Sequence, residues 1–454
     1  MASRPPGPPL PPLVQTVGFL ASPRRFFDAC RRRYGDVVWF STVFDRGFAM
    51  VYEPELVKQV FQAPPERLRA GEANVVLAPL LGEHSVLLAD GASHLRQRKL
   101  MLPSFHGRRL EAHAAQMLAA ADREIDRWPV GEPFSLLRAM QSATLDVIMR
   151  AIFGLEDGAR AEELKRAVRG AVDPIDRRAA MLAMAMSGGR FGGRRTVERF
   201  NARKRVLDEQ IYAEIARRRA QTDLDERDDV MSTLLGARDE EGEGLGDREL
   251  RDELVTLLVT GHETTATGLA WAVDLLLHDE RALRTLRARL ADGDERYLDA
   301  VVKEALRLRP VVPGVGRVVR GGPFELGGYE IPEGAEINPS ISTIHRRADR
   351  YPQPAAFRPE RFLAEDPPDT YTWVPFGGGT RRCLGASFAL TEMRIVLRRV
   401  VERTDLVAVR RRPERVQRRG ITLVPRDGVR VVQRRAPAPA KSADAPSAAA
   451  VSLA

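Results

Sequence analysis

The chain is expected to fold as a mainly α domain with a small β-rich part. Helical periodicity dominates residues 93–310 with little strand signal, and from Pro310 onward short strands punctuated by proline and glycine take over, as in "FELGGYEIPEGAEI". No linker divides the 454 residues, so a single domain over 10–435 is expected, preceded by a Pro-rich lead-in at 1–9 and followed by a disordered Ala/Pro-rich tail at 436–454.

The elements follow in chain order. The opening "MASRPPGPPLPP" reads as extended chain laid on the surface. "RRFFDACRRRYGDVVWFSTVFDRGFAMVYEPELVKQVF" gives a helix, a break at Gly35, two alternating strands and a second helix. Within the helical middle, "SGGRFGG" (187–193) interrupts the pattern after the methionine-rich "MLAMAM", and "ARDEEGEGLG" (237–246) forms a polar loop before a long helix at 247–278. A last helix is expected at 386–403.

Composition narrows the function classes. With 44% hydrophobic residues the chain can bury a sizeable core. The net charge of +9 is interleaved with acidic residues and concentrated in no arm, so nucleic acid is not an expected partner. No segment approaches the roughly 20 apolar residues of a membrane span, and prolines interrupt the only apolar run near the start. A cytoplasmic protein is expected. Two cysteines, Cys30 and Cys383, are a weak disulfide framework, and in a reducing compartment a retained cysteine is more often catalytic or metal-binding.

Cys383 lies in "FGGGTRRCLG", where a glycine loop meets the amphipathic run "ASFALTEMRIVLRRVV". A thiolate there gains from the free N–H groups of the helix start. Glycines at 377, 378, 379 and 385 let the backbone approach something large and flat, or turn where side chains would clash. A buried cysteine after a turn is the alternative. No G-K-[ST] follows, so the run is not a phosphate loop.

Three further stretches stand out. Glu304 and Arg307 in "VVKEALRLRP" are one helical turn apart, an ordinary surface ion pair if taken alone, and Arg361 follows in "FRPERF". In "LVTGHETTATGLAWA", Glu263 and Thr264 occupy an apolar helix, where they must be hydrogen-bonded or face a cavity; a back-bonded threonine satisfies the same demand. His262-Glu263 is not a zinc motif, because position 266 is alanine. His94 and Arg98 in "ASHLRQRKLMLPSF" share a helix face, which is equally the pattern of a solvated basic helix.

Phe376, Gly379, Arg381, Cys383 and Gly385 spell F-x-x-G-x-R-x-C-x-G, which resembles the haem-binding loop of the cytochrome P450 family. The E-x-x-R pair and the later Arg361 fall in the family's order, and Thr260-Gly261-His262-Glu263-Thr264-Thr265 matches its [AG]-G-x-[DE]-T-[TS] pattern at all but the first position. The resemblance spans residues from about 10 to 432. It implies a cytochrome P450 fold with haem b (iron protoporphyrin IX) between a long distal helix and a proximal cysteine loop. It implies Cys383 as the iron ligand, and His94, Arg98, Arg317 and Arg381 as partners of the haem propionates. Phe376 would roof the sulfur, and Gly385 belongs to the same loop. Glu304, Arg307 and Arg361 would support that loop from behind. Gly261 would make room for dioxygen, Thr264 would hold a proton donor or water, and Glu263 would relay protons. Thr260 departs from the usual small residue, and His94 stands where tryptophan is common.

The implied reaction is insertion of one oxygen atom of O2 into an organic substrate. The pocket wall that the resemblance implies, 73–88 with "MLAMAM", Thr260, Val311, Val312 and Val315, is aliphatic, so a hydrophobic small molecule is expected. No G-x-G-x-x-G unit is present, so electrons are expected from a separate ferredoxin or flavodoxin with an NAD(P)H-dependent reductase; Arg108, Arg109, Arg382, Arg394 and Arg398 form a basic face that draws such a partner, or a surface that is basic only through an arginine-rich composition. A peroxide-driven peroxygenase and a haem-binding sensor without turnover are the alternatives; the Glu263-Thr264 pair speaks against both.

Overall fold

The structure is a computed structural model describing residues 3–21, 23–43, 47–105, 107–156, 158–172 and 194–439. The "MLAMAM" and "SGGRFGG" segments and the tail from 440 lie outside those residues. The chain folds as two compact units, each assembled from discontinuous segments, so a boundary leaves no linker in the sequence. Unit 1 comprises Met1–Gln97, Val312–Ala356 and Asp366–Cys383; unit 2 comprises Arg98–Val311, Phe357–Glu365 and Leu384–Ala454.

Unit 1 is built on a five-stranded sheet in the order Val37–Phe40, Phe48–Val51, Glu336–Pro339, Arg317–Val319, Leu68–Arg69. The pairings are antiparallel except for Phe48–Val51 against Glu336–Pro339. Side chains alternate across a strand. Val37 and Trp39 therefore join Val57, Phe61, Val319 and Ile337 on one face, while Val38 and Phe40 join Phe27, Cys30 and Tyr52 on the other. Both faces are covered, which explains why "VVWF" (37–40) is continuously apolar. The helix Pro23–Tyr34 ends at Gly35, whose φ of 95° is the left-handed cap that turns the chain into the first strand. The lead-in is extended as expected, and the Pro6 carbonyl accepts from the Trp39 N–H at 2.8 Å.

Unit 2 is a helical assembly around the long helix Asp247–Leu277. Glu249 reaches back to the Gly246 N–H at 2.9 Å, which satisfies one orphan donor at its start. Its neighbours are the helices Leu136–Phe153 and Ala386–Arg403. A side chain at Gly261 would meet Ile148 at 2.9 Å and one at Gly268 would meet Met393 at 3.0 Å, so two glycines let both neighbours approach. Fully buried Trp271 donates to the Leu423 carbonyl at 3.0 Å and fixes the hairpin Val416–Arg419 / Thr422–Pro425. Strand Pro133–Ser135 pairs with Arg430–Gln433, which also pairs with Leu406–Ala408. Ala438 accepts from Arg403 Nε at 2.7 Å, so the ordered chain runs past the expected end at 435.

Candidate functional site

In unit 1, the Cys383 N–H donates to the Phe376 carbonyl at 2.9 Å and closes the cysteine loop. Phe376 stands edge-on to Trp373 with ring centroids 6.1 Å apart. Gly377 and Gly379 take φ of 69° and 65°, left-handed values that favour glycine. A Cβ at Gly379 would fall 1.9 Å from the Phe61 carbonyl oxygen, and one at Gly378 would fall 2.3 Å from the Phe61 ring. These two glycines are therefore explained by the helix Pro54–Gln62 that the loop crosses. The loop's approach is pinned by wholly buried His345, whose Nε2 accepts the Val374 N–H at 2.9 Å. The Cys383 side chain is exposed and forms no disulfide with Cys30.

The cations of unit 1 gather beside the loop. Arg381 donates to the Val86 carbonyl at 3.2 Å, to the Ala89 carbonyl and to the Asp90 carboxylate. Asp90 in turn accepts the Gly71 and Glu72 N–H groups at 2.9 and 3.1 Å, so it links the loop arginine to a second turn. Arg317 is 6% exposed, donates to the Gly316 carbonyl at 2.8 Å, stacks 5.8 Å from the Phe61 ring centroid, and has no ion pair among the described residues. Burial, and then the nearby Arg381 charge, push its guanidinium down to about 10 against the pull of Asp90 and Glu336. His94 is buried on the helix Gly91–Met101; half-buried Arg98, one turn on, is the first residue of unit 2. A buried guanidinium without an ion pair is costly unless a ligand supplies the anion. An exposed thiol, a buried arginine, the half-buried Arg381 and a buried histidine in one unit are a donor set that fits haem: sulfur for the iron, guanidinium for the carboxylates.

In unit 2, Glu304 and Arg307 are both fully buried, contrary to the surface pair their spacing alone describes. Arg307 grips the carboxylate bidentately at 2.6 and 2.9 Å, Arg361 Nε adds a third bond at 3.0 Å, and the Arg358 N–H adds a fourth at 2.8 Å. All four partners belong to unit 2, so the triad ties the helix Arg296–Leu308 to the Phe357–Glu365 segment. Gly385 is the N-cap residue of Ala386–Arg403.

Thr256, Thr260 and Thr264 form a ladder on the long helix. Thr260 Oγ1 donates to the Thr256 carbonyl and Thr264 Oγ1 to the Thr260 carbonyl, each at 2.7 Å. Thr264 thus uses its hydroxyl hydrogen locally and keeps its oxygen as an acceptor. Glu263 lies 3.7 Å from Arg419 on the C-terminal hairpin. Gly261 faces Ile148, a packing reason for glycine that sequence reasoning missed.

Sequence reasoning also missed Asp90, His345 and Arg419, whose partners are distant in the chain. Of the expected basic face, the Arg108 side chain is outside the described residues, and Arg398 is engaged by Glu295 and Glu402. Val75 and Val76, expected in a pocket wall, are 66% and 55% exposed. No helix among the described residues is long and apolar enough to cross a membrane.

Comparison with known proteins agrees with this geometry. The sequence model of the cytochrome P450 family matches residues 5–430. Cytochrome P450 135B1 of Mycobacterium tuberculosis is 40% identical over 437 residues, covering 94% of this chain and 90% of the relative. Cytochrome P450 137 of the same species is 41% identical over 420 residues, covering 91% and 86%. Among solved structures, retinoic acid-bound cyanobacterial CYP120A1 superposes with a TM-score of 0.82 at 24% identity, covering 95% of this chain and 99% of that one. The cytochrome P450DA heme domain gives 0.80 at 22%, covering 96% and 98%.

Proposed function

The chain belongs to the cytochrome P450 family of haem-dependent monooxygenases, and from that premise we propose that it inserts one oxygen atom of O2 into a hydrophobic small molecule, by hydroxylation or epoxidation. The observation that carries the reading is Arg317, a buried cation with no ion pair among the described residues, in the same unit as the exposed Cys383 thiol. Haem b meets both demands with one ligand. When bound, it supplies the redox-active iron at which the O–O bond is broken, a step that thiolate ligation favours.

The chain's own residues bind, hold and deliver. Cys383 supplies the sulfur, and the Phe376 carbonyl fixes its backbone. Arg317, Arg381, His94 and Arg98 orient and neutralise the carboxylates, with Asp90 holding Arg381 in place. Thr264 Oγ1 accepts a hydrogen bond from water or a proton donor, and Glu263 passes protons in from solvent, held meanwhile near Arg419. Glu304, Arg307 and Arg361 form a rigid buried brace.

Electrons come from a separate ferredoxin or flavodoxin with its NAD(P)H-dependent reductase, and Arg382 and Arg394 are positions at which an acidic partner would be attracted. The protein acts in the cytoplasm. Steady-state turnover with NADPH, ferredoxin and reductase, compared with peroxide alone on a lipophilic panel selected by spectral shift, tests the reading. Product formation chiefly with the redox chain is expected. Product with peroxide alone, or none with either, contradicts it.

A further inference from the structure

The helix Pro12–Ala21 is inside out. Its polar residues Gln15 and Thr16 are buried to 5% and 3% exposure, and their side chains serve the unit's interior. Gln15 Oε1 accepts the Ser41 N–H at 3.0 Å, and Thr16 Oγ1 accepts the Val43 N–H at 3.1 Å. Phe19 packs inward against Phe27 and Phe48, but Leu13, Val14 and Val17 point outward and are 64%, 47% and 57% exposed, with Leu10 just before the helix at 42%. A helix packed this way leaves its apolar stripe for something other than the core.

The next helix, Pro23–Tyr34, carries the matching charge. Arg24, Arg25 and Arg32, with Asp28 and Arg346, line a cleft of about 490 Å³. Arg31 on the same helix pairs with Asp36 at 2.7 Å, whereas Arg24, Arg25 and Arg32 have no ion-pair partner among the described residues.

We propose that this pair of helices docks the protein on an anionic lipid bilayer, lying on the surface rather than spanning it. Leu10, Leu13, Val14 and Val17 enter the boundary between headgroups and acyl chains, and Arg24, Arg25 and Arg32 take the lipid phosphates. An exposed apolar stripe next to uncompensated arginine is the chemistry of interfacial anchoring, and an anionic leaflet attracts each such cation. A second copy of the chain is the weaker occupant. Four apolar side chains fall well short of the roughly 800 Å² per partner that a stable interface buries, and a dimer on this face would bring cationic helices together.

The test uses full-length holoprotein sedimented with phosphatidylglycerol/phosphatidylcholine vesicles and with phosphatidylcholine vesicles at two salt concentrations. Binding to the anionic vesicles, weakened by salt, is expected. L13S/V17S and R24Q/R25Q/R32Q should each lower partitioning at least about tenfold. R411Q/R412Q/R415Q removes the same charge from exposed arginines elsewhere and should change it little. Retained Soret absorbance shows that each variant is folded. The proposal is overturned if the wild-type protein does not sediment with anionic vesicles, or if R411Q/R412Q/R415Q loses as much binding as R24Q/R25Q/R32Q. It is equally overturned if L13S/V17S splits a dimer on ultracentrifugation while vesicle binding is unchanged.

Discussion

Replacing Glu304 with alanine removes an acceptor that takes four hydrogen bonds at 2.6, 2.9, 3.0 and 2.8 Å with no exposure to water. The substitution leaves Arg307 buried and charged with no carboxylate beside it. Removing one partner of a buried ion pair costs about 3–5 kcal/mol. The orphaned Arg358 N–H adds about 1 kcal/mol or more. A total of about 4–6 kcal/mol is a large part of the roughly 5–15 kcal/mol that a protein has in hand. Denaturant unfolding of the holoprotein, followed by helical circular dichroism, measures the loss. Glu304→Gln keeps one acceptor and should fall between wild type and alanine, which preserves a reading if the alanine variant does not fold. The double variant E304L/R307M should be more stable than E304A, because the fully buried Arg307 charge is removed together with its partner. An E304A cost under about 1 kcal/mol, or a double variant costing the sum of the single ones, would refute the assignment of a buried brace.

Thr264→Ala should consume reductant at a similar rate but divert it to hydrogen peroxide, because water loses its acceptor at Oγ1; Thr264→Ser should restore coupling, measured as product formed per NADPH. Arg317→Ala should speed haem transfer to apomyoglobin about tenfold or more, the scale of one charge-assisted hydrogen bond, and an unchanged rate contradicts the propionate role. Glu392 is wholly buried on the helix Ala386–Arg403 with no partner for Oε1, and burial pushes its carboxyl well above the usual range. The folded group keeps its proton at a pH where the unfolded one has released it. Its contribution is therefore complete below the ordinary glutamate value and is lost as pH rises. Glu392→Gln should flatten the fall of melting temperature above about pH 5, and parallel curves for the two proteins would rule the effect out.

The cysteine loop was legible because its demands are local. Turns at Gly377 and Gly379, the arginine and the thiol all fall within ten residues, and each position tolerates few alternatives. Glu304 and Arg307 are legible as a pair from spacing, but their burial only through the family resemblance, since an i,i+3 spacing looks the same in water and in a core. Asp90 and Arg419 left no signal. Each is an ordinary charged residue whose partner, Arg381 or Glu263, lies far along the chain. Gly378 and Gly379 are expected either to approach something flat or to turn where side chains would clash, and their Cβ directions, which meet Phe61, agree with the second; the Cβ direction of Gly261 meets Ile148, a neighbour far along the chain that the motif does not encode. The sheet was equally hidden, because Phe48–Val51 pairs with a strand almost 300 residues later and nothing in either segment encodes the register.

The sulfur of Cys383 decides the central claim, and the reduced carbonyl spectrum of the holoprotein reads it directly. The wild-type protein should show the red-shifted Soret band of thiolate ligation, and Cys383→Ser should lose that band. A Cys383→Ser protein with the wild-type spectrum would contradict the account.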